Sequence, residues 1–163
     1  MKSRVTAVVG LLVVAASVFA YGQATPTLEG AWRVTEVSGS AANDTGKTPQ
    51  PGLYIFTKKH YSVVAVVGST PRKDVAPAQD PQKLTDAEKA AQYEAWALLT
   101  ANAGTYEVKG TTLTTNPLVA KNPSVMGRPQ TREFKIDGKT LTLTQKSTTQ
   151  PVTETRTVLT RVE

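Results

Sequence analysis

The chain has 163 residues, no cysteine and a single histidine, and its formal charge is +6 at pH 7. The missing cysteines exclude disulfides and thiolate metal sites, and one histidine leaves a zinc or haem site without its usual ligands. The 19 Lys and Arg residues are scattered, whereas nucleic-acid binding requires a concentrated basic surface. We therefore expect no metal, no other cofactor and no nucleic-acid partner.

Residues 1–24 have the pattern of a signal peptide. Lys2 and Arg4 precede an apolar run over residues 5–19, which is shorter than the ~20 residues of a membrane span. An uncleaved anchor is the alternative interpretation. The pattern predicts an exported protein.

Small residues allow cleavage of this segment after Ala20 or Ala24. We expect residues 25–163 to form a single domain with a formal charge of +4, periplasmic or secreted, and without an integral membrane span after processing. The oligomeric state stays open.

Three strands are predicted in the first part of this domain, over residues 30–37, 53–57 and 61–67, because β-branched and aromatic residues alternate with others there. The polar stretch between the first two is a loop. His60, in the Lys-rich turn before the third strand, is interpreted as a solvated residue.

A helix is predicted to follow a proline-containing connection. Thr85 and Glu88 form a capping box, and an Ala-rich run without Pro or Gly extends to Ala101. A single helix among strands suggests a lid or plug on a β-structure.

The remaining chain predicts five more strands, over residues 105–108, 111–116, 130–136, 140–145 and 152–162. Residues 118–129 contain two prolines and a glycine and are interpreted as an irregular link. Eight short strands that can all be joined by up-and-down connections favour closure into an antiparallel barrel, whose interior can hold one small ligand.

The hairpin within Gln130 to Gln145 is the clearest local signal, because Asp137-Gly138 separates two alternating runs. By alternation, Gln130 and Arg132 face the same side as the apolar Phe134. An inward arginine is costly unless it is paired. Arg132 is thus the strongest candidate for a functional residue.

The ordered motifs of this chain resemble the bacterial lipocalin-like domain family over essentially the whole mature chain. Gly30-x-Trp32 in the first strand and Arg161 in the last are similar to the lipocalin arrangement, in which an arginine packs over the tryptophan and closes the barrel base. The further matching segments are Leu28 to Arg33, Pro51 to Tyr54, Tyr61-Ser62, Ala103 to Val108, Asn122-Pro123, Gly127, Gln130-x-Arg132 and Gly138-x-x-Leu141-x-Leu143.

The resemblance implies a small lipocalin-like barrel with one helix inserted between strands 3 and 4, in a family whose members mostly have no assigned activity. It implies a structural role for Trp32 and Arg161 in closing the barrel. The family commonly has a histidine pair in the fifth strand, where this chain has Thr114 and Thr115. An activity that needs those imidazoles is therefore not implied here.

The candidate ligand site combines a polar anchor with an apolar wall. Arg132 and Gln130, with the Tyr106 hydroxyl, could bind a carboxylate, because arginine presents a planar fork that matches this group. The alternative is an internal ion pair between Arg132 and Glu36. The proposed wall residues are Val63, Ala65, Val67, Tyr106, Phe134, Leu141 and Leu143, and Trp96 of the helix could line the pocket or simply pack the lid.

Three functions stay open from the sequence. The first is an exported lipocalin-like protein that binds a small apolar or amphipathic molecule, which could be anionic. The second is a packed barrel that acts through its surface on another envelope protein. The third is an isomerase- or hydrolase-type enzyme using barrel carboxylates, which we rank below binding because glutamates in proteins are ordinarily outward or paired. An interior void would favour the first function over the second.

Overall fold

The protein is represented by a computed structural model in which residues 27–39, 48–78, 80, 82–147 and 152–163 are described. The predicted signal peptide, residues 1–24, lies outside the described residues. The elements in chain order are β1 Gly30–Ser38, β2 Gly52–Phe56, β3 His60–Val66, α1 Asp86–Ala97, β4 Leu99–Lys109, β5 Thr112–Ala120, a 3-10 turn Pro123–Val125, β6 Gln130–Asp137, β7 Thr140–Lys146 and β8 Glu154–Arg161.

The strands form one closed antiparallel barrel. Each strand pairs with the next, and β8 returns to pair with β1. Inward side chains meet across the pairs, as Trp32 does opposite Tyr54 and Leu141 opposite Leu159. Closure leaves no unpaired strand edge along the sheet. The predicted eight-stranded up-and-down barrel, with a helix between the third and fourth strands, is confirmed.

The predicted hairpin joins β6 to β7, with its loop one position later than expected. Asp137 pairs with Thr140, so the two-residue loop is Gly138 and Lys139. Gly138 has a φ of 57°, a left-handed value that such loops require and that glycine adopts at low cost.

The packed part of the barrel lies at the end that contains Trp32. Its side chains come from both halves of the chain, as expected when the first strand pairs with the last. The buried apolar cluster consists of Leu28, Trp32, Phe56, Tyr61, Val63, Leu113, Leu141, Leu143 and Leu159. The opposite end, where β2, β4, β6 and β8 begin, is less completely filled.

A β-bulge in β1 changes which side chains face inward. The register with β8 shifts between Val34 and Glu36, so Thr35 is an extra residue. A one-residue shift exchanges the two faces of a strand. After the bulge, Val37 lines the barrel interior, and Glu36 lies on the outer wall beside Arg156.

Helix α1 begins at the predicted capping box. The Thr85 hydroxyl accepts a hydrogen bond from the Glu88 amide at 3.3 Å, and the Glu88 carboxylate accepts one from the Thr85 amide at 2.8 Å. The hydrogen bonds from Thr85 also lower the pKa of the Glu88 carboxyl. Local sequence therefore determines this helix start.

The predicted helix end at Ala101 is wrong. The helix stops at Ala97, and Leu99 already belongs to β4, where it pairs with Val66. The Ala-rich segment favours a helix locally, but pairing with β3 satisfies its backbone groups and completes the barrel wall. β5 likewise extends to Ala120, into the segment predicted as an irregular link.

The expectation that the helix covers the barrel as a lid or plug is also wrong. No residue of α1 is buried, and Tyr93 is 75% exposed. The carbonyl groups near its C-terminus instead bind two cations: the Lys121 ammonium donates to the Trp96 carbonyl, and Arg72 Nε donates to the Ala95 carbonyl at 2.9 Å. Positive charge at this end complements the helix dipole.

Candidate functional site

The barrel interior contains a cavity of about 210 Å³ in the half away from Trp32. Its apolar lining includes Val34, Val37, Ala65, Val67 and Leu143, and its polar lining includes Tyr54, Thr100, Gln145, Thr155 and Thr157. Arg132 is the one charged residue among the described residues of the lining. The described lining thus combines apolar and neutral polar side chains with a single positive charge.

Arg132 is positioned by neutral groups. Its Nη2 donates to Gln130 Oε1 at 3.1 Å, and its Nη1 lies 3.4 Å from Thr115 Oγ1. The hypothesis of an internal ion pair with Glu36 is wrong, because the bulge turns Glu36 outward, where it pairs with Arg156. In the described part of the chain, no carboxylate forms a salt bridge with Arg132.

Tyr54 lines the same cavity from the opposite wall. It lies on β2 and Arg132 on β6, four strands apart in a closed barrel of eight. Burial raises the pKa of the Tyr54 hydroxyl, and the positive charge of Arg132 partly opposes that rise. The two side chains therefore act on each other electrostatically across the interior.

Tyr106 does not supply the hydroxyl expected at this cavity. Its hydroxyl donates to the Thr57 carbonyl at 2.7 Å, and its ring packs edge-on against Phe56 with centroids 5.3 Å apart. These contacts direct Tyr106 towards the packed end of the barrel. The tyrosine at the cavity is Tyr54.

The other predicted site residues occupy three different places. Gln130 contacts Arg132 directly. Val63 belongs to the buried core, and Phe134 packs against that core. Trp96 is 57% exposed on α1 and borders a surface groove formed with residues 72–77, so it lies outside the barrel cavity. Ligand contacts by these residues stay predictions.

Trp32 and Arg161 meet at the packed end of the barrel. Trp32 is fully buried and donates from Nε1 to the Leu28 carbonyl at 2.7 Å, while Arg161 Cζ lies 4.0 Å from the centre of its ring. Arg161 Nη2 also donates to the Thr27 carbonyl at 2.6 Å. Gly30 makes room for this arginine, because a Cβ there would lie 2.6 Å from Arg161 Nη1.

Several cavity residues were not identified from the sequence. Alternation places Gly52, Tyr54 and Phe56 on one face of β2, but it does not say which face of so short a strand is inner. Tyr54 pairs with the buried Trp32, so the face of β2 that carries Tyr54 is the inner one. Thr115 could be found only through its register with Gln130, which brings it to Arg132.

The described residues contain no group of three or more His, Asp or Glu side chains arranged to hold a metal ion. No helix in the described part of the chain is long and apolar enough to cross a membrane.

Comparison with protein families matches residues 29–162 to the lipocalin-like domain. Comparisons with curated proteins and with solved structures give no significant match. The matched segment runs from the residue before β1 to the residue after β8, so it contains the whole barrel. The chain therefore belongs to the lipocalin-like domain family.

Proposed function

We propose that this chain is an exported lipocalin-like protein that binds a small, mainly apolar, anionic molecule inside its barrel. The lipocalin-like fold itself suggests small-molecule binding in general. The specific observation that carries the proposal is the Arg132 guanidinium, which lines the interior cavity and is held by neutral acceptors.

The charge on Arg132 is the physical reason to expect an anion. A guanidinium has five N–H donors, and Gln130 and Thr115 accept from it without neutralising it. Arg132 is half-buried, and charged groups withdrawn from water are normally paired. An anionic ligand would supply the missing charge while its apolar part covers Val34, Ala65 and Leu143.

Export to the periplasm or the medium is proposed from the leader pattern of residues 1–24. A binding protein outside the cytoplasm would carry or sequester its ligand in that compartment. Mass determination of the protein from an exporting host tests this, because cleavage after Ala20 or Ala24 gives two different mature masses.

The two alternative functions receive less support. A surface-acting barrel was expected to have a filled interior, whereas a cavity of about 210 Å³ lies beside Arg132. An isomerase or hydrolase was expected to place a carboxylate beside a cavity, and the described lining contains none. Binding is therefore the function that the interior favours.

Native mass spectrometry of the mature protein, followed by organic extraction, tests the proposal. We expect a co-purifying anionic small molecule, or uptake of one from a mixture of small organic acids. Arg132→Met should lose this binding, and Arg156→Met is the matched control, because it removes an arginine from the outer wall. Equal binding by the wild type and Arg132→Met would contradict the role of Arg132.

A further inference from the structure

Three tyrosines of the barrel interior differ in what their hydroxyl groups bind. The Tyr61 hydroxyl donates to Asn102 Oδ1 at 2.7 Å, and the Tyr106 hydroxyl donates to the Thr57 carbonyl at 2.7 Å. The Tyr54 hydroxyl has no hydrogen-bond partner among the described residues, although Tyr54 lines the cavity. Tyr54 is partly buried, and polar groups withdrawn from water are usually hydrogen-bonded, so its hydroxyl is available to a molecule bound in the cavity.

The position of Tyr54 relative to Arg132 indicates where a bound molecule would lie. The two residues lie on strands on opposite sides of the eight-stranded barrel and line one cavity. Gln130 and Thr115 hold the guanidinium from its own side of the barrel, since Thr115 lies on β5 next to β6. The interior between Tyr54 and Arg132 is therefore bordered by a neutral donor and a cationic donor.

We infer that Tyr54 and Arg132 bind one carboxylate between them, the tyrosine hydroxyl donating to one oxygen and the guanidinium to the other, and that the ligand is a small monocarboxylic acid. This inference rests on the proposed function and identifies the ligand class. A monoanion matches the charge of the site, because Arg132 is the one charged group in the described lining.

The cavity also limits the size of the acid. Its volume of about 210 Å³ is below the ~300–1,000 Å³ of pockets for drug-sized ligands. A single aromatic ring or a short alkyl chain fits such a space. The apolar part would contact Val34, Ala65 and Leu143.

The Tyr54 hydroxyl is a neutral donor, because a phenol is protonated at neutral pH. The site can therefore donate hydrogen bonds from both walls without adding a second charge.

Isothermal titration with benzoate and with benzyl alcohol, its neutral counterpart, tests the inference. We expect benzoate to bind at least about tenfold more tightly than the alcohol, because hydrogen bonds to a charged group are stronger than neutral ones. Tyr54→Phe should weaken benzoate binding by about tenfold or more and leave binding of the alcohol nearly unchanged. Arg132→Met should remove the preference for the acid.

Tyr106→Phe is the matched control, because it removes a hydroxyl that is bound to the Thr57 carbonyl at the packed end. It should leave benzoate affinity unchanged. Urea unfolding of each variant shows that it is folded under the titration conditions.

Equal benzoate affinity in the wild type and Tyr54→Phe, together with a loss in Arg132→Met, would overturn the role of Tyr54 and leave the proposed function standing. Equal affinity for benzoate and benzyl alcohol would overturn the assignment to carboxylic acids. Absence of binding by either probe, combined with a ligand-free native mass after exposure to mixed organic acids, would overturn both the inference and the proposed function.

Discussion

Glu36 forms its ion pair with Arg156 on the outer wall of the barrel, with 3.2 Å between Glu36 Oε1 and Arg156 Nη1. A regular β1 strand would have placed this carboxylate on the inner face, where Arg132 lies. The bulge at Thr35 prevents that arrangement. The protein thus keeps a cation in its interior without a carboxylate from β1 to neutralise it.

Glu36→Gln should change the protein very little. The pair with Arg156 is partly exposed, and such surface pairs contribute about 0–1 kcal/mol to the free energy of unfolding. Urea unfolding and benzoate titration measure stability and binding in the same variant. A large loss of ligand affinity would show that Glu36 acts inside the barrel after all.

Arg161→Met should destabilise the protein by about 2–4 kcal/mol. The substitution removes the cation over Trp32 and charge-assisted hydrogen bonds such as that to the Thr27 carbonyl. Arg33→Met, an exposed arginine on the outer face of β1, is the control and should change stability by no more than about 0.5 kcal/mol. Similar urea midpoints for both variants would mean that Arg161 does not stabilise the packed end of the barrel.

Gly30→Ala should be much more damaging than Gly138→Ala. Both glycines have positive φ, but a Cβ at Gly30 would lie 2.4 Å from the Glu163 carbonyl oxygen, whereas one at Gly138 meets nothing within 4 Å. We expect the free energy of unfolding to fall by roughly 4 kcal/mol at Gly30, from combined strain and overlap, and by roughly 1–2 kcal/mol at Gly138, from strain alone. Thermal or urea unfolding compares the two directly, and equal losses would contradict the close packing at Gly30.

Tyr54 should make the protein less stable in alkali. Burial raises its folded-state pKa above the unfolded value of 10.0, so the unfolded chain loses this proton first. Its contribution to stability is complete below about pH 10 and is lost as the pH rises through the folded pKa. Tyr54→Phe should therefore have a shallower loss of stability above pH 10 than the wild type, measured by urea unfolding across that range. Tyr106→Phe should make the loss of stability above pH 10 shallower in the same way, because burial also raises the pKa of Tyr106.

Ala90→Pro should disrupt helix α1 without changing ligand binding. Proline inside a helix costs about 3 kcal/mol, and no α1 residue lines the barrel cavity. Circular dichroism should show the lost helix, while benzoate affinity should stay within about twofold of the wild-type value. A large drop in benzoate affinity would show that α1 does cover the cavity.

Local chemistry was sufficient to predict the barrel. Alternating residues, the glycine at the β6–β7 loop and the capping box at Thr85 each act within a few residues, so their consequences are visible in the sequence. The inward direction of Arg132 followed from the same alternation and agrees with its place in the cavity lining.

The errors arose where long-range pairing decides the structure. The segment from Leu99 to Ala101 suits a helix by composition, yet its partners on β3 make it a strand. The bulge at Thr35 leaves no local mark, so Glu36 was expected on the wrong face. Tyr54 was missed because its inner position depends on its register with Trp32.

The pairing of β1 with β8 has a consequence for how the chain reaches its folded state. The strand that contains Trp32 obtains its second neighbour only when residues of the last strand are present, more than a hundred positions later. Contacts of such long sequence separation form slowly, and the barrel cannot close before β8 has been synthesised. An incomplete chain would keep open edges on both β1 and β7, which exposes it to aggregation until β8 pairs with them.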